Sequence, residues 1–395
     1  MLARQALGTL PHQWSKSGFA RISTIGLCNA ISHMTHPWFK PRGYKHLDVP
    51  VGEPFVAKAS KPDFVKGHHW LPLIHYVKRQ KRYKPKDGKT VYKDRDIMYA
   101  SHRDACILSK YAHELSSELD IFYERNGLCD HVIAYRKLGK SNYIFSAEAY
   151  RFAVLSSPCI VLCFDITGFF DNLNHAILKD RLKRVLSVKE LPEHWYRVFR
   201  HVTCFKTIEL EDLKAHPVFG PKLKLESKTP IATISEIKAA GIRIQENANE
   251  FGIPQGTPIS SALSNLYMID IDLHMSGICR DRNALYQRYS DDILIVCQPN
   301  DENNIVSELL AQVGAHKLKI KKEKTERVRF IRANPNAFQY LGFDISPEGV
   351  TIRPSSLSRQ WRKLKRGIKK AKYVSSQAIR SGEAKVELCR RMGDG

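Results

Sequence analysis

Asp165 closes the apolar run Ile160–Phe164 within "PCIVLCFDI" (158–166), and Asp291 and Asp292 interrupt a second apolar run, "RYSDDILIV", from Arg288 to Val296. Carboxylates set into segments that read as buried strands need partners there, because an isolated buried charge is costly. If the two strands are neighbours, Asp165 and Asp291 meet at one edge of a sheet. Converging carboxylates repel unless cations neutralise them, and an all-oxygen site suits Mg²⁺. Two such ions about 3.5–4 Å apart activate an attacking hydroxyl and stabilise a leaving phosphate during in-line transfer. For each aspartate taken alone, a turn cap or an arginine partner is the competing reading.

The elements that must position these residues follow from hydrophobic periodicity. The run 158–166 is continuous and β-branched, which predicts a buried central strand. Amphipathic patterning predicts helices over Asp104–Arg125 and Ala176–Leu186, the second capped by Asn174. "YVKRQKRYKPKDGK" (76–89) is densely basic, and its Asp87-Gly88 pair is a hairpin turn signal. Residues 187–250 mix helical and strand-like pieces without a clear plan. From Gly349 to Gly382 there are ten Lys/Arg and no acidic residue. Leu357, Trp361, Leu364, Ile368 and Ala371 recur there at three- and four-residue steps, which predicts a helix with a packed stripe and a basic outer face.

The chain has 395 residues, 43% hydrophobic and 10% aromatic, the composition of a folded protein with more than one domain. Sixty-three Lys/Arg against forty Asp/Glu give +23, a surplus suited to a polyanionic partner such as nucleic acid. Nine cysteines without a Cys-x-x-Cys pair argue against a disulfide framework or a zinc site, and for a reducing compartment. No apolar stretch approaches the roughly 18 residues of a membrane helix. The first 47 residues hold six Lys/Arg and no acid, which reads as a basic arm. A transit peptide would share that bias, but Trp14, Pro37 and Trp38 fit one poorly.

"FDITGFFDNLNH" (164–175), "GIPQGTPISSALSNLYM" (252–268) and "YSDDILIV" (289–296) resemble, in order, the palm motifs of reverse transcriptases. "KKEKTERV" (321–328) and "FQYLGFDI" (338–345) resemble the next two blocks, so the likeness spans roughly 80–372. Segments 95–112, 131–142, 191–203 and 353–372 resemble the unknown-group, antiviral branch of bacterial reverse transcriptases, related to retron and group II intron enzymes. The resemblance implies an α+β, right-hand polymerase with an antiparallel-rich palm sheet backed by helices. It places a basic N-terminal extension at 1–60, fingers at 61–157, a palm at 158–350 (with part of the fingers in 187–250) and a basic helical thumb at 351–395. It further implies a bacterial, cytoplasmic enzyme that copies an RNA template, such as a dedicated noncoding RNA, into cDNA from dNTPs. The oligomeric state is left open.

By that resemblance Asp165 and Asp291 hold two Mg²⁺ ions, with Mn²⁺ as a substitute. Asp292 supports them, and the Ile166 carbonyl completes one shell. Phe170, beside Phe169, matches a steric gate against the ribose 2′-OH. Gln255 and Gly256 lie in a turn that approaches the nucleotide, while Lys86, Arg95 and Arg136 match phosphate contacts. Lys324 matches a lysine proposed as general acid toward pyrophosphate. Tyr289 and Ser290 flank the primer end, and Tyr340, Leu341 and Gly342 form the hairpin that grips it. Arg359, Arg362, Lys363 and Arg366 track the duplex backbone, a salt-sensitive contact. Two other functions stay open on the residues: a maturase-like RNA-binding protein with a vestigial site, and an RNA-dependent RNA polymerase.

Overall fold

The computed structural model describes residues 36–84, 88–225, 228–321, 323, 325–333 and 336–382. By internal contacts the chain divides into Met1–Phe39 and Lys40–Gly395. In the first unit a turn brings the Phe39 N–H to the His36 carbonyl (3.1 Å).

The second unit opens with two short helices, α1 (Glu53–Ala59) and α2 (Pro62–Lys66), each with proline in its first turn, where the missing N–H has no intrahelical role. Strands β1 (Leu73–Val77), β2 (Gln80–Lys84), β3 (Lys89–Lys93) and β4 (Asp96–Tyr99) follow. β2 and β3 form a basic hairpin in which Lys84 pairs with Lys89, and Gly88 takes the left-handed conformation (φ +59°) that glycine adopts without steric cost; Asp87 lies outside the described residues. Helix α3 (His102–Arg125) is well capped. Ser101 Oγ accepts the Asp104 N–H, and the Asp48 carboxylate accepts those of His102 and Arg103 (both 2.9 Å), so the first-turn donors have partners.

Helix α4 (Asn142–Leu155) precedes the central strand β5 (Cys159–Asp165), and α5 (His175–Val185) begins at Asn174, whose side chain accepts the Ile177 N–H as its cap. The segment 187–250 then resolves into α6 (Glu193–Thr203), β6 (Lys206–Glu209), α7 (Leu210–Ala215), α8 (Phe219–Lys224), α9 (Ile234–Ala239) and β7 (Gln245–Glu246). Its strands complete a sheet of order β4-β1-β6-β7, in which β1 and β6 run parallel. Residues more than a hundred positions apart pair there, so no local pattern marked them.

Two packed helices, α10 (Ser260–Tyr267) and α11 (Ile269–Asp281), lead into β8 (Leu285–Tyr289) and β9 (Asp292–Cys297). Next come α12 (Glu302–Ala315) and β10 (Glu326–Phe330). The second sheet, β10-β5-β9-β8, is antiparallel throughout. β5 and β9 are buried along most of their length, as expected of inner strands covered on both faces. Val161, Leu294, Val296 and Phe330 share one core cluster with Phe338, Tyr340 and Ile345 of a small sheet, β11 (Phe338–Tyr340), β12 (Phe343–Ser346) and β13 (Gly349–Ile352). An α+β fold with an antiparallel-rich sheet backed by helices is therefore what the chain adopts.

Helix α13 (Pro354–Arg380) forms where predicted, but its stripe is not packed: Leu357, Trp361, Leu364 and Ile368 are 57, 57, 53 and 48% exposed. Its twenty-seven residues extend about 40 Å, and the stripe is open from the first turn, at Leu357, onward. Among the described residues no helix is long and apolar enough to cross a membrane.

A histidine-rich knot surrounds the start of α3. The buried Asp104 carboxylate engages His68 (2.7 Å) and the Leu71 N–H, while His201 stacks on Trp70 (centroids 4.2 Å apart). Burial holds His46 and His201 down to about 4, against 6.5 for an ordinary imidazole. Between pH 6.5 and 4 the unfolded chain therefore takes up protons that the folded chain does not, and stability falls as the pH falls through that window. Denaturant titrations at pH 7 and pH 4.5 should show this loss. His201→Phe, which keeps the stack on Trp70, should make it smaller.

Candidate active site

The stretch read as one strand bearing two central aspartates is in fact a hairpin. β8 ends at Tyr289, β9 begins at Asp292, and Ser290 and Asp291 form the two-residue turn. Only the first of these has a positive φ (Ser290, +60°), the pattern of a type II′ turn, where glycine is the usual residue. Reversal of the chain brings the aspartates to the sheet edge, which is why two carboxylates are tolerated beside an apolar run.

β5 and β9 are neighbours, and Asp165 lies directly opposite Asp292 in their register. The Ile166 N–H donates to the Asp291 carbonyl (3.2 Å), so Asp165, Ile166, Asp291 and Asp292 share one end of two adjacent strands. On the other side of Asp165, its carbonyl accepts the Lys321 N–H (2.8 Å) and the Thr167 N–H donates to Lys319 (2.8 Å), adding a basic flank. Side chains opposed in an antiparallel ladder stand about 5 Å apart at Cβ, close enough for like charges to repel. Among the described residues no three His, Cys, Asp or Glu side chains form a cage for a metal ion. Mg²⁺ rarely uses such a cage. It binds one or two carboxylates and leaves its other positions to water and substrate phosphates, a pattern that an edge of carboxylate and carbonyl oxygens fits.

A second strip of chain lies antiparallel to 170–174. The Gly252 and Ile253 N–H groups donate to the Leu173 and Phe170 carbonyls (both 2.9 Å), and the His175 ring bonds the Gly252 carbonyl (2.7 Å). A Cβ on Gly252 would stand 3.1 Å from the Asp171 carbonyl, and one on Gly256 2.8 Å from the Met98 carbonyl. The Met98 N–H in turn donates to Gln255 (2.8 Å), which fastens this loop to β4. Ser260 Oγ closes the loop on the Pro254 carbonyl and meets Thr257 Oγ1 (2.6 Å each). Phe170 and Gln255 thus occupy one neighbourhood. Asp171 is accessible to solvent there, and partial desolvation, reinforced by Asp96, raises its pKa.

Beneath the hairpin lies an ion pair absent from the sequence reading. Arg288 and Asp272 have fully buried side chains, joined by two hydrogen bonds from Nε and Nη2 (2.7 and 2.6 Å). Arg288 Nη1 reaches Asn265 Oδ1 and the Ser290 carbonyl (3.1 Å each), and the Tyr286 hydroxyl donates to Asp272 (2.8 Å). Burial works against the charge on Arg288, but the Asp272 carboxylate outweighs it and raises the guanidinium's pKa. The available signal was one charge of each sign at positions where β8 and α11 should be apolar.

The remaining expected site residues are placed as follows. The Arg136 side chain is nearly buried, binds Asp120 (2.7 Å) and the Cys129 and Val132 carbonyls, and lies over the Tyr123 ring. Phe169 is 4% exposed and packs inside, leaving Phe170 as the accessible ring of the pair. Tyr340 is also 4% exposed, so its ring belongs to the core and only the turn Leu341-Gly342 is presented. Ser290 is buried, with its hydroxyl accepting from Tyr135 (3.2 Å). Tyr289 faces Asp292 across the ladder, and Arg95 joins β3 to β4 through paired backbone bonds with Lys78. Arg359, Arg362, Lys363 and Arg366 are exposed on α13, on the side opposite its apolar stripe. Lys86 and Lys324 lie outside the described residues.

Residues 128–345 match the family described as reverse transcriptase (RNA-dependent DNA polymerase). Solved structures similar to the chain include apo telomerase from Candida tropicalis truncated of its C-terminal domain (12% identity, 71% of this chain, 57% of that chain, TM-score 0.47). Telomerase from Candida albicans in complex with a fragment of telomeric RNA gives 14% identity, 76% and 49% coverage and a TM-score of 0.47. The RNA-dependent RNA polymerase of a human picobirnavirus gives 12%, 70%, 45% and 0.42. The chain thus spans little more than half the length of the first of these. No curated protein sequence matches.

Asp272→Ala would strand the Arg288 charge inside the protein. Equilibrium denaturation should show a loss of about 3–5 kcal/mol, several times that expected for removing an exposed pair such as Lys214–Glu211.

Proposed function

The chain belongs to the reverse transcriptase family, and from that premise we propose that it is an RNA-directed DNA polymerase, extending a primer with dNTPs on an RNA template. The observation that carries this reading is the placement of Asp165, Asp291 and Asp292 at one end of the paired strands β5 and β9. Asp165 and Asp291 would hold two Mg²⁺ ions, with the Ile166 carbonyl completing one shell and Asp292 in support. When bound, such ions make the primer hydroxyl a stronger nucleophile and offset charge on the departing pyrophosphate. Phe170, the accessible ring of its pair, would act as the gate that collides with a ribose 2′-OH. The loop of Gln255 and Gly256, fixed to β4, forms the adjoining wall for the incoming nucleotide. Arg95 and the basic hairpin β2–β3 approach its phosphates, and the exposed basic face of α13 follows the duplex.

The finer reading is a bacterial, cytoplasmic enzyme of the antiviral branch that copies a dedicated noncoding RNA into cDNA. It rests on the resemblance of segments 95–112, 131–142, 191–203 and 353–372 to that branch. Sequencing the RNA that co-purifies with the protein from its native locus tests it, since a heterogeneous RNA pool would count against a cognate template.

Primer extension on a synthetic RNA template with dNTPs and Mg²⁺ tests the activity itself. Asp291→Ala should lower the rate by about 10³-fold or more while leaving RNA binding near wild type. A wild-type protein that binds RNA and makes no DNA would overturn the polymerase reading in favour of a binding protein. Phe170→Ala should admit ribonucleotides, reducing discrimination between dNTPs and NTPs by roughly 10–100-fold in competition assays.

A further inference from the structure

We propose that Arg288 is a positioning residue for Asp291: paired with Asp272 inside the protein, it holds the turn that carries this carboxylate by donating from Nη1 to the Ser290 carbonyl. The inference rests on the polymerase reading only in making Asp291 a catalytic group. Ser290 sits at φ +60°, a conformation that a residue with a Cβ keeps only under constraint from its surroundings. The constraint comes from beneath. Nε and Nη2 of Arg288 are committed to Asp272 on α11, and Nη1 is shared between Asn265 on α10 and the turn itself.

Main-chain bonds fix the same residue in place. The Arg288 N–H donates to the His131 carbonyl (2.7 Å), and its own carbonyl accepts the Ile133 N–H (3.1 Å). The Arg288 backbone and guanidinium are therefore held by three separate segments of chain, and the one remaining contact of the fork points at the turn. A planar fork with separated donors can serve Asp272, Asn265 and Ser290 together, which a lysine ammonium cannot. Stability alone does not call for this arrangement, because a buried ion pair can usually be exchanged for apolar side chains of similar volume without loss.

That exchange supplies the test. Two variants are compared with the full wild-type chain: Arg288→Met with Asp272→Leu, and Arg288→Lys alone. Thermal melting, site-resolved hydrogen exchange and primer-extension kinetics are measured on each. The double variant should stay folded but melt below wild type, because the Tyr286 hydroxyl and Asn265 Oδ1 lose their buried partners. Its Ile166 amide, whose acceptor is the Asp291 carbonyl, should exchange about tenfold faster or more, as should the amides of 290–292. The amides around the Val161–Val296 pair at the centre of the sheet should be unchanged.

In primer extension, kcat should fall about 100-fold with KM for dNTP within threefold, since a small misplacement of a reacting group acts on the chemical step. Arg288→Lys should show the same exchange and kcat pattern, and it carries the comparison if the double variant does not fold. Turn exchange that stays at the wild-type level, or that rises evenly across the core, overturns the proposal. So does an unaltered kcat in an active enzyme. If the wild type makes no DNA, the polymerase reading fails while the exchange data still decide whether Arg288 holds the turn.

Discussion

A guanidinium and a carboxylate with no exposure to solvent, Arg288 and Asp272, sit where two helices, two strands and the segment 131–134 come together. Taking both charges out of water is expensive, and their attraction repays this only when every donor finds an acceptor in good geometry. Here every donor nitrogen of the guanidinium has one. Because the pair tolerates no displacement, the elements that supply its partners are locked in register: α11 through Asp272, α10 through Asn265, and the β8–β9 hairpin through its turn carbonyl. Asn265 extends the lock by donating to the Ala134 carbonyl (2.9 Å), which ties 131–134 to α10, while a parallel bridge between Val132 and Arg288 ties the same segment to the edge of β8.

The carboxylate edge and the Phe170 neighbourhood depend on close backbone approach as much as on charge. Gly252 and Gly256 both adopt positive φ against neighbouring carbonyls, and a side chain at either would force the loop away from 171 or from β4. The sheet β4-β1-β6-β7 is thereby fastened by a backbone hydrogen bond to the loop that leads into α10, the helix that also holds Arg288. The two sheets are coupled through one short stretch, 252–265.

Much of this was legible in the residues because it depends on local pattern. The apolar run of 158–166, the Asn174 cap, the Asp-Gly turn and the Gly/Pro loop ahead of α10 each follow from the conformational preferences of a few neighbouring residues. What local pattern did not show had a common cause, since burial of one side chain is a property of the whole fold. Arg136 reads as a basic phosphate ligand until Asp120 and two carbonyls are found around it. Phe169 and Tyr340 read as ligand contacts until they prove to be core, and the stripe of α13 reads as core until it proves exposed.

The sequence by itself determined that two apolar runs carry aspartates, that they belong to the motifs of one family, and that the chain is basic enough to meet a polyanion. Those facts reside in residue type and spacing, which folding does not alter. Only the tertiary structure decided that Asp165 stands opposite Asp292 and that Asp291 occupies a strained turn. It alone brought together Arg288 and Asp272 and joined β1 to β6 across more than a hundred residues. Register and long-range pairing are set by the fit of whole faces against one another, where a shift of one residue would turn every side chain to the wrong side. No window along the chain contains that information.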